Sequence, residues 1–160
     1  MRWIWIDKFV EFESGKKAVA IKNLTLAEEH LHDHFPGYPV MPASLMIEGM
    51  AQTAGILIGE ARGFKEKVIL AKIRSVKFEG MARPGQQLRY EAAIDSITDE
   101  AASASGTIYC DDKQIGTVEL MFSHIDQNIS GLDFPEENFV FTEEFKSLLS
   151  TYQVHGSKQA

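Results

Sequence analysis

The chain has 160 residues, of which 44% are hydrophobic and 24% charged, a composition typical of one globular domain with a substantial core. Its net charge of −7 argues against a general nucleic-acid binder, which usually carries a positive field over one face. The single cysteine excludes an internal disulfide, and no apolar run reaches the ~20 residues of a membrane span. Charged residues interrupt the apolar start of the chain, so we expect a cytoplasmic protein without a signal peptide.

The opening of the chain predicts a β-hairpin followed by an irregular loop. Residues 2–13 and 18–26 alternate loosely between apolar and polar positions on either side of a Ser14-Gly15 turn. The stretch HFPGYPVMP, residues 34–42, then contains three prolines and a glycine, which favour a rigid and irregular loop.

A long buried helix is predicted over residues 43–63, because this segment is apolar nearly all round. Pro42 suits a first-turn position and Gly63 suits the helix end. One polar stripe, with i, i+4, i+8 spacing, interrupts the apolar surface: Ser44, Glu48 and Gln52.

The rest of the chain predicts an antiparallel meander and then an extension. The predicted strands cover residues 67–79, 86–97, 101–110 and 114–124. A hairpin, one helix and a meander indicate an α+β fold in which a curved antiparallel sheet wraps a long central helix, and we place this domain at residues 1–125.

Residues 126–160 form a C-terminal extension. It begins with a loop-like stretch, and FTEEFKSLLSTY, residues 141–152, could form a short amphipathic helix with Thr142 as its cap. The last eight residues are expected to be a frayed end.

Three histidines alternate in HLHDH, at His30, His32 and His34. On a strand they would share one face and could bind zinc, but His30 and His32 are more simply explained as solvated polar residues. His34 differs because the FPG turn follows it and the loop leads directly to the buried helix. A histidine in that place suits proton transfer, the alternative being a loop histidine hydrogen-bonded to backbone.

Glu48 is the second unusual residue, because a carboxyl group on a buried helix is costly without partners. It is either a structural glutamate bonded to Ser44 or Gln52, or a carboxyl that stays protonated and acts as a general acid. The free amides at Ala43 and Ser44, in the first turn of the helix, would add an anion-stabilising site. Together these groups suit reactions at the α-carbon of a carbonyl, including β-elimination of water.

Two further features carry weaker signals. Cys110 lies at a predicted strand end and is interpreted as a packed or edge thiol. The segment from Arg62 to Arg89 has eight basic and two acidic residues, a net charge of +6. These cations either protect strand edges or form a docking patch for an acidic partner.

The stretch HFPGYPVMPASLMIEGMAQTAG, residues 34–55, closely resembles the signature of the hot-dog-fold β-hydroxyacyl-[acyl carrier protein] dehydratases of fatty acid biosynthesis. The resemblance covers roughly residues 3–124 and implies a hot-dog fold, a homodimer that can assemble as a trimer of dimers, and no cofactor or metal. It implies that His34 and Glu48 are the catalytic pair, contributed by opposite subunits, and that acyl carrier protein delivers the substrate. The implied substrate-binding residues are Phe35, Gly37, Ala43, Ser44 and Gln52.

The chain departs from the family pattern at two positions. Ala43 stands where glycine is usual, and its methyl group could crowd the site, although its amide remains and we expect activity to survive. Gly49 stands where alanine is usual, which should weaken the helix slightly. Two alternatives stay open, a hot-dog acyl thioesterase and a non-catalytic hot-dog protein that binds acyl carrier protein or acyl chains.

Overall fold

The computed structural model of the chain describes residues 3–125 and 134–156. Its elements, in chain order, are β1 (Lys8–Glu13), β2 (Lys17–Asn23), α1 (Glu29–Asp33), α2 (Ala43–Ala61), β3 (Val68–Phe78), β4 (Gln87–Ile97), β5 (Ala101–Cys110), β6 (Lys113–His124) and α3 (Glu143–Gly156). The strands form one antiparallel six-stranded sheet in the order β1-β2-β4-β5-β6-β3. The predicted α+β architecture, a long helix packed against one antiparallel sheet, is confirmed.

The predicted hairpin is present, but its first strand is shorter than expected. The turn closes at Gly15, whose φ of +70° lies in the left-handed region that favours glycine. The paired register of β1 begins at Lys8, and the residues before Asp7 run along α2, where the backbone N–H of Trp5 bonds to Gln52. This placement brings the N-terminal tryptophans to the central helix.

Helix α2 is buried along most of its length, as its all-round apolar sequence predicted. It packs against β2, β3, β4, β5 and β6, so the core lies between the helix and the curved sheet. The helix ends at Ala61, and Gly63 at φ +66° follows as the chain turns back toward β3. Among the described residues, no helix combines the length and the apolar character needed to cross a membrane.

Gly49 has a packing role that its place in the sequence did not indicate. A Cβ atom at this position would lie 2.6 Å from Cζ of Tyr90, whose ring is fully buried against the helix. Burial also raises the pKa of the Tyr90 phenol, and its hydroxyl has no hydrogen-bond partner among the described residues. The absent methyl group is therefore what lets Tyr90 pack against α2.

We expect Gly49→Ala to destabilise the protein by about 1–2 kcal/mol, although the same change inside a helix normally adds stability. The physical reason is overpacking, since the new methyl group must displace the fully buried ring of Tyr90. Urea unfolding would measure the change. Gly55→Ala is the matched control, because its Cβ would lie 3.6 Å from Phe122, an ordinary contact, and should be neutral or stabilising. Equal effects of the two substitutions would contradict the Tyr90 explanation.

The helix predicted in the C-terminal extension is observed and is longer than expected. Helix α3 continues to Gly156, past the predicted helix end at residue 152. At its start, the Oγ1 atom of Thr142 accepts a 3.4 Å hydrogen bond from the Phe145 N–H, as expected of a cap. The predicted frayed end, residues 153–160, is thus helical as far as Gly156. Residues 126–133, which are part of the predicted loop, and residues 157–160 lie outside the described residues.

Candidate active site

The histidine segment is helical and not a strand, so the premise of a shared histidine face was wrong. Residues 29–33 form the short helix α1, and the three imidazoles have different surroundings. His32 is exposed, as predicted, and its Nε2–H donates to the Leu26 carbonyl at 2.8 Å. Helical geometry places residues two apart on different sides, which removes the arrangement on which the zinc alternative depended.

His30 is not the solvated residue that the sequence suggested. Its ring packs edge-on against Trp5, with ring centroids 5.0 Å apart, and its Nε2 atom is buried without a hydrogen-bond partner in the described part of the chain. Burial lowers the pKa of this imidazole, because desolvation disfavours its charged form. His30 therefore belongs to the support beneath the loop that follows α1.

His34 lies at the start of that loop, half-buried and held in one orientation. Its Nδ1–H donates to the Val40 carbonyl at 2.8 Å, while its own carbonyl accepts from the Val40 N–H at 2.9 Å. Because Nδ1 is the donor, the neutral ring carries its free lone pair on Nε2. The loop thus presents Nε2 as a base.

The residues between His34 and Val40 make a tight turn. Phe35 and Tyr38 exchange two backbone hydrogen bonds, of 3.1 and 2.9 Å, and Gly37 has a φ of +76°. The Phe35 ring stacks on the His34 imidazole with a centroid distance of 4.2 Å. The structure therefore gives Phe35 and Gly37 roles in shaping the loop, and their predicted contact with substrate stays a prediction.

The first turn of α2 offers unused backbone donors. The Pro42 carbonyl accepts from the N–H groups of Leu45 and Met46, both at 3.1 Å, whereas the amides of Ala43 and Ser44 have no partner among the described residues. Both residues are exposed. The loop is fixed here by the Met41 N–H, which donates to Ala82 in the turn between β3 and β4 at 2.8 Å.

Glu48 is half-buried, less than the sequence suggested, and is held by two donors. The indole N–H of Trp3 and the amide of Gln52 both donate to its Oε1 atom, at 3.2 and 3.0 Å. No partner occupies Oε2 among the described residues. The carboxyl group is therefore oriented through one oxygen and leaves the other available for proton transfer.

Gln52 is the centre of this network. It is 6% exposed, its Oε1 accepts from the Trp5 N–H at 2.8 Å, and its Nε2 also donates to the Trp3 carbonyl at 3.1 Å. Its polar atoms are thus engaged inside the chain, which favours a role in positioning Glu48 over the substrate contact predicted from sequence. The contribution of Trp3 was missed, because an aromatic residue in an apolar opening gives no sign of a polar contact 45 residues away.

No hydrogen bond or ion pair joins His34 to Glu48 within the described chain. Each has its own anchors, Val40 for His34 and Trp3 with Gln52 for Glu48. The predicted stripe also separates, since Ser44 is exposed and does not bond to Glu48. Within one chain, His34 and Glu48 are therefore oriented by separate sets of contacts.

A cavity of about 220 Å³ begins at Glu48 and runs beside α2. It is lined by Glu48, Ala51, Gln52, Gly55, Ile56, Val68, Ile69, Leu70, Phe122, Val140, Phe141 and Phe145. Its polar groups belong to Glu48 and Gln52, and the remainder of the lining is apolar side chain and glycine. A larger cavity, of about 600 Å³, lies against the sheet and is lined by none of the predicted site residues.

The basic segment, residues 62–89, is partly neutralised within the chain. Within the described part of the chain, ion pairs join Arg62 to Glu66 and Asp99, Lys77 to Glu79, and Arg89 to Glu91. Arg83 instead lies over the Tyr38 ring, 4.0 Å from its centroid, beside the loop that carries His34. Cys110, interpreted from sequence as a packed thiol, is buried, and burial raises the pKa of that thiol.

Comparisons with known proteins identify the family of the chain. The family model described as FabA-like domain matches residues 3–119. The 3-hydroxyacyl-[acyl-carrier-protein] dehydratase FabZ of Thermoanaerobacter sp. is 40% identical over 121 residues, covering 75% of this chain and 85% of that protein. The FabZ of Bacillus pumilus is 35% identical over 122 residues, covering 76% of this chain and 85% of that protein.

Solved structures share the fold at low sequence identity. The dehydratase heterocomplex ApeI:P from Xenorhabdus doucetiae aligns with a TM-score of 0.64 and 17% identity, over 76% of this chain and 83% of that one. A hypothetical thioesterase with coenzyme A from Streptococcus pneumoniae aligns with a TM-score of 0.60 and 7% identity, over 72% and 83%. The chain therefore belongs to the FabA-like family of hot-dog proteins, as its sequence signature indicated.

Proposed function

We propose that this protein is a (3R)-hydroxyacyl-[acyl carrier protein] dehydratase of fatty acid biosynthesis. The observation that carries the proposal is the anchoring of His34 in the loop that leads into α2. Its Nδ1–H bond to Val40 leaves Nε2 free to act as a base. Relatives named as FabZ dehydratases, at 35–40% identity over three quarters of the chain, support the same reaction. The proposal includes a cytoplasmic location and requires no cofactor.

In the proposed reaction, Nε2 of His34 removes a proton from the α-carbon of the β-hydroxyacyl thioester. The electron pair forms the Cα–Cβ double bond as the Cβ–O bond breaks. The carboxyl group of Glu48 gives its proton to the departing hydroxyl, which leaves as water. The products are a trans-2-enoyl thioester and water, and transfer of the proton from His34 back to Glu48 through solvent completes the cycle.

The backbone at the start of α2 would stabilise the charge that develops in this step. As the α-proton leaves, negative charge grows on the thioester oxygen, and the free amides of Ala43 and Ser44 are donors without other partners in the described chain. Glu48 is suited to the acid role because Trp3 and Gln52 hold its Oε1 atom. Oε2 would then carry the transferable proton.

We further propose that each site combines His34 of one subunit with Glu48 of the other in a homodimer. The separate anchoring of the two residues supports this arrangement. Strand β3 also supports it, because it lies at an edge of the sheet, has 11 residues, and exposes Leu70 and Ile73. A long edge strand with exposed aliphatic residues is a ready surface for pairing with a second copy. The proposal includes the assembly of three such dimers into a hexamer.

Arg83 is our candidate for contact with acyl carrier protein, an acidic partner, because it is exposed beside the His34 loop. We expect Arg83→Glu to raise the KM for carrier-linked substrate about tenfold or more at low salt, with a smaller effect at high salt. Steady-state kinetics at two ionic strengths would measure this. Lys16→Glu is the control, since Lys16 lies in the β1–β2 turn, whose Ser14 bonds to Glu60 at the far end of α2. A KM that is unchanged by Arg83→Glu, or equally changed by both, would contradict this docking site.

The function is tested by the reverse reaction, hydration of a crotonyl thioester on acyl carrier protein, followed as loss of enoyl absorbance with and without chelator. Chelator-resistant turnover is the expected result. Release of free thiol in the same assay would instead indicate the hot-dog thioesterase. Binding of the carrier-linked thioester without turnover, over a range of chain lengths, would overturn the proposal in favour of a non-catalytic acyl-binding protein.

A further inference from the structure

The C-terminal segment lies outside the family match, which ends at residue 119, yet it forms one wall of the cavity that begins at Glu48. Val140, Phe141 and Phe145 are the lining residues that it contributes. Helix α3 also packs against β1, and Leu149 on this helix belongs to the hydrophobic core. The segment is therefore an integral part of the folded chain.

Phe141 is fixed in place from several sides. Its ring lies directly on Gly59 of α2, where an added Cβ would clash with Cζ of the ring. It also packs edge-on against Phe64 at a centroid distance of 5.1 Å. Asn138 secures the approach to it by donating to the carbonyls of Phe64 and Glu66, at 3.1 and 3.2 Å. The same side chain accepts from the Phe141 N–H at 3.1 Å. These contacts hold the aromatic wall against the end of the helix.

The cavity has a polar end and an apolar end. Glu48 and Gln52 are the polar lining residues, and the lining then follows one face of α2 through Gly55 and Ile56 toward the aromatic wall. Glu48 and Gly59, on which Phe141 packs, are eleven positions apart in the helix, or about 16 Å along its axis. A ligand that places a polar reacting group at Glu48 would extend a hydrocarbon chain toward Phe141 and Phe145.

We propose that the segment from Val140 to Phe145 closes the far end of the acyl-binding cavity and sets the longest acyl chain that the enzyme accepts. This inference rests on the proposed dehydratase function. The volume of about 220 Å³ equals that of roughly seven water molecules at about 30 Å³ each. A methylene group is close to water in size, so a cavity of this volume suits a medium-length chain beyond the reacting carbons, and a wall at its far end would exclude the longest ones.

Three substitutions in the full-length protein test the proposal. Phe145→Ala removes a partly buried ring from the wall and should open the cavity. Gly55→Ala adds a methyl group to the lining, at an ordinary contact distance from Phe122, and should shorten the cavity. Leu148→Ala is the matched control, because Leu148 is also a partly buried α3 residue packed on the core but does not line the cavity.

The measurement is kcat/KM for a series of enoyl thioesters on acyl carrier protein, from crotonyl to long chain, with equilibrium binding of the same thioesters by titration. Phe145→Ala is expected to raise the ratio of long-chain to short-chain kcat/KM, by about fourfold for each further methylene accommodated. Gly55→Ala should lower this ratio, and Leu148→Ala should leave it at the wild-type value.

An unchanged ratio in Phe145→Ala, or an equal change in Leu148→Ala, would overturn the inference. A third outcome is possible: the wild type shows no turnover, but binding follows the expected chain-length dependence in all variants. That outcome would support the role of the segment from Val140 to Phe145 as a cavity wall and refute the dehydratase function. If the wild type shows no turnover and no binding that depends on chain length, both the dehydratase function and the cavity wall are refuted.

Discussion

Replacement of His34 by alanine, or of Glu48 by glutamine, is expected to lower kcat/KM for hydration of an enoyl thioester on acyl carrier protein by about 10²–10⁴-fold. The alanine removes the base that the Val40 hydrogen bond orients, and the glutamine keeps the shape of the acid without its proton. Enoyl absorbance would follow the reaction. His32→Ala is the control, because His32 is an exposed neighbour on α1 with a different partner, and it should retain wild-type activity. Wild-type rates in either of the first two variants would refute the assigned pair.

Mixing the two inactive proteins distinguishes a shared site from one within a single chain. If each site takes His34 from one subunit and Glu48 from the other, a mixed dimer regains one intact site of two. Random reassociation should then restore about a quarter of the wild-type activity. If each chain instead held a complete site of its own, mixing would restore no activity, because every chain would still lack one of the two groups.

Glu28→Gln is expected to cost about 3 kcal/mol of unfolding free energy, the largest stability effect that we predict. Lys22 is 6% exposed as a residue, and its ammonium lies 2.5 Å from Glu28 Oε1 and 3.7 Å from Asp7. Removal of the Glu28 charge leaves a desolvated cation with only the more distant carboxylate. Urea unfolding monitored by tryptophan fluorescence would measure the loss.

An exposed pair of the same length provides the control. Lys16 and Glu13 also approach to 2.5 Å, but their side chains are 72% and 48% exposed, so Glu13→Gln should leave the free energy of unfolding nearly unchanged. The double substitution Lys22→Met with Glu28→Leu should recover most of the stability lost in Glu28→Gln, since no buried charge then remains. Equal costs for Glu28→Gln and Glu13→Gln would show that burial of Lys22 has no energetic consequence.

The elements that the sequence predicted well are those with a strong local signal. Helix α2 was predictable from its length and all-round apolar character, and the meander from its alternation and its turns. Helix α1 was not, because histidines at alternate positions resemble one face of a strand, and it is the fold around Trp5 and Leu26 that makes the segment helical. Short elements of this kind are decided by tertiary contacts.

The candidate site shows the same division. His34 and Glu48 were predicted as site residues from their local signature, but the contacts that hold them were not predicted. The hydrogen bonds from Trp3 to Glu48 and from Trp5 to Gln52 span 45 and 47 residues, and the contact between Gly59 and Phe141 joins the helix to the extension. Contacts between distant segments depend on how the elements pack, which no local pattern in one sequence reports.

The late position of Phe141 and Leu149 in the chain has a consequence for synthesis. Both side chains belong to the core, yet the ribosome adds them after all six strands and the central helix. A nascent chain that already contains the whole sheet therefore still exposes the surface around Gly59 that Phe141 covers. Stop codons or proteolytic cuts between β6 and α3 would leave an incomplete, aggregation-prone product, and the cell's quality control would act on it although every strand is present.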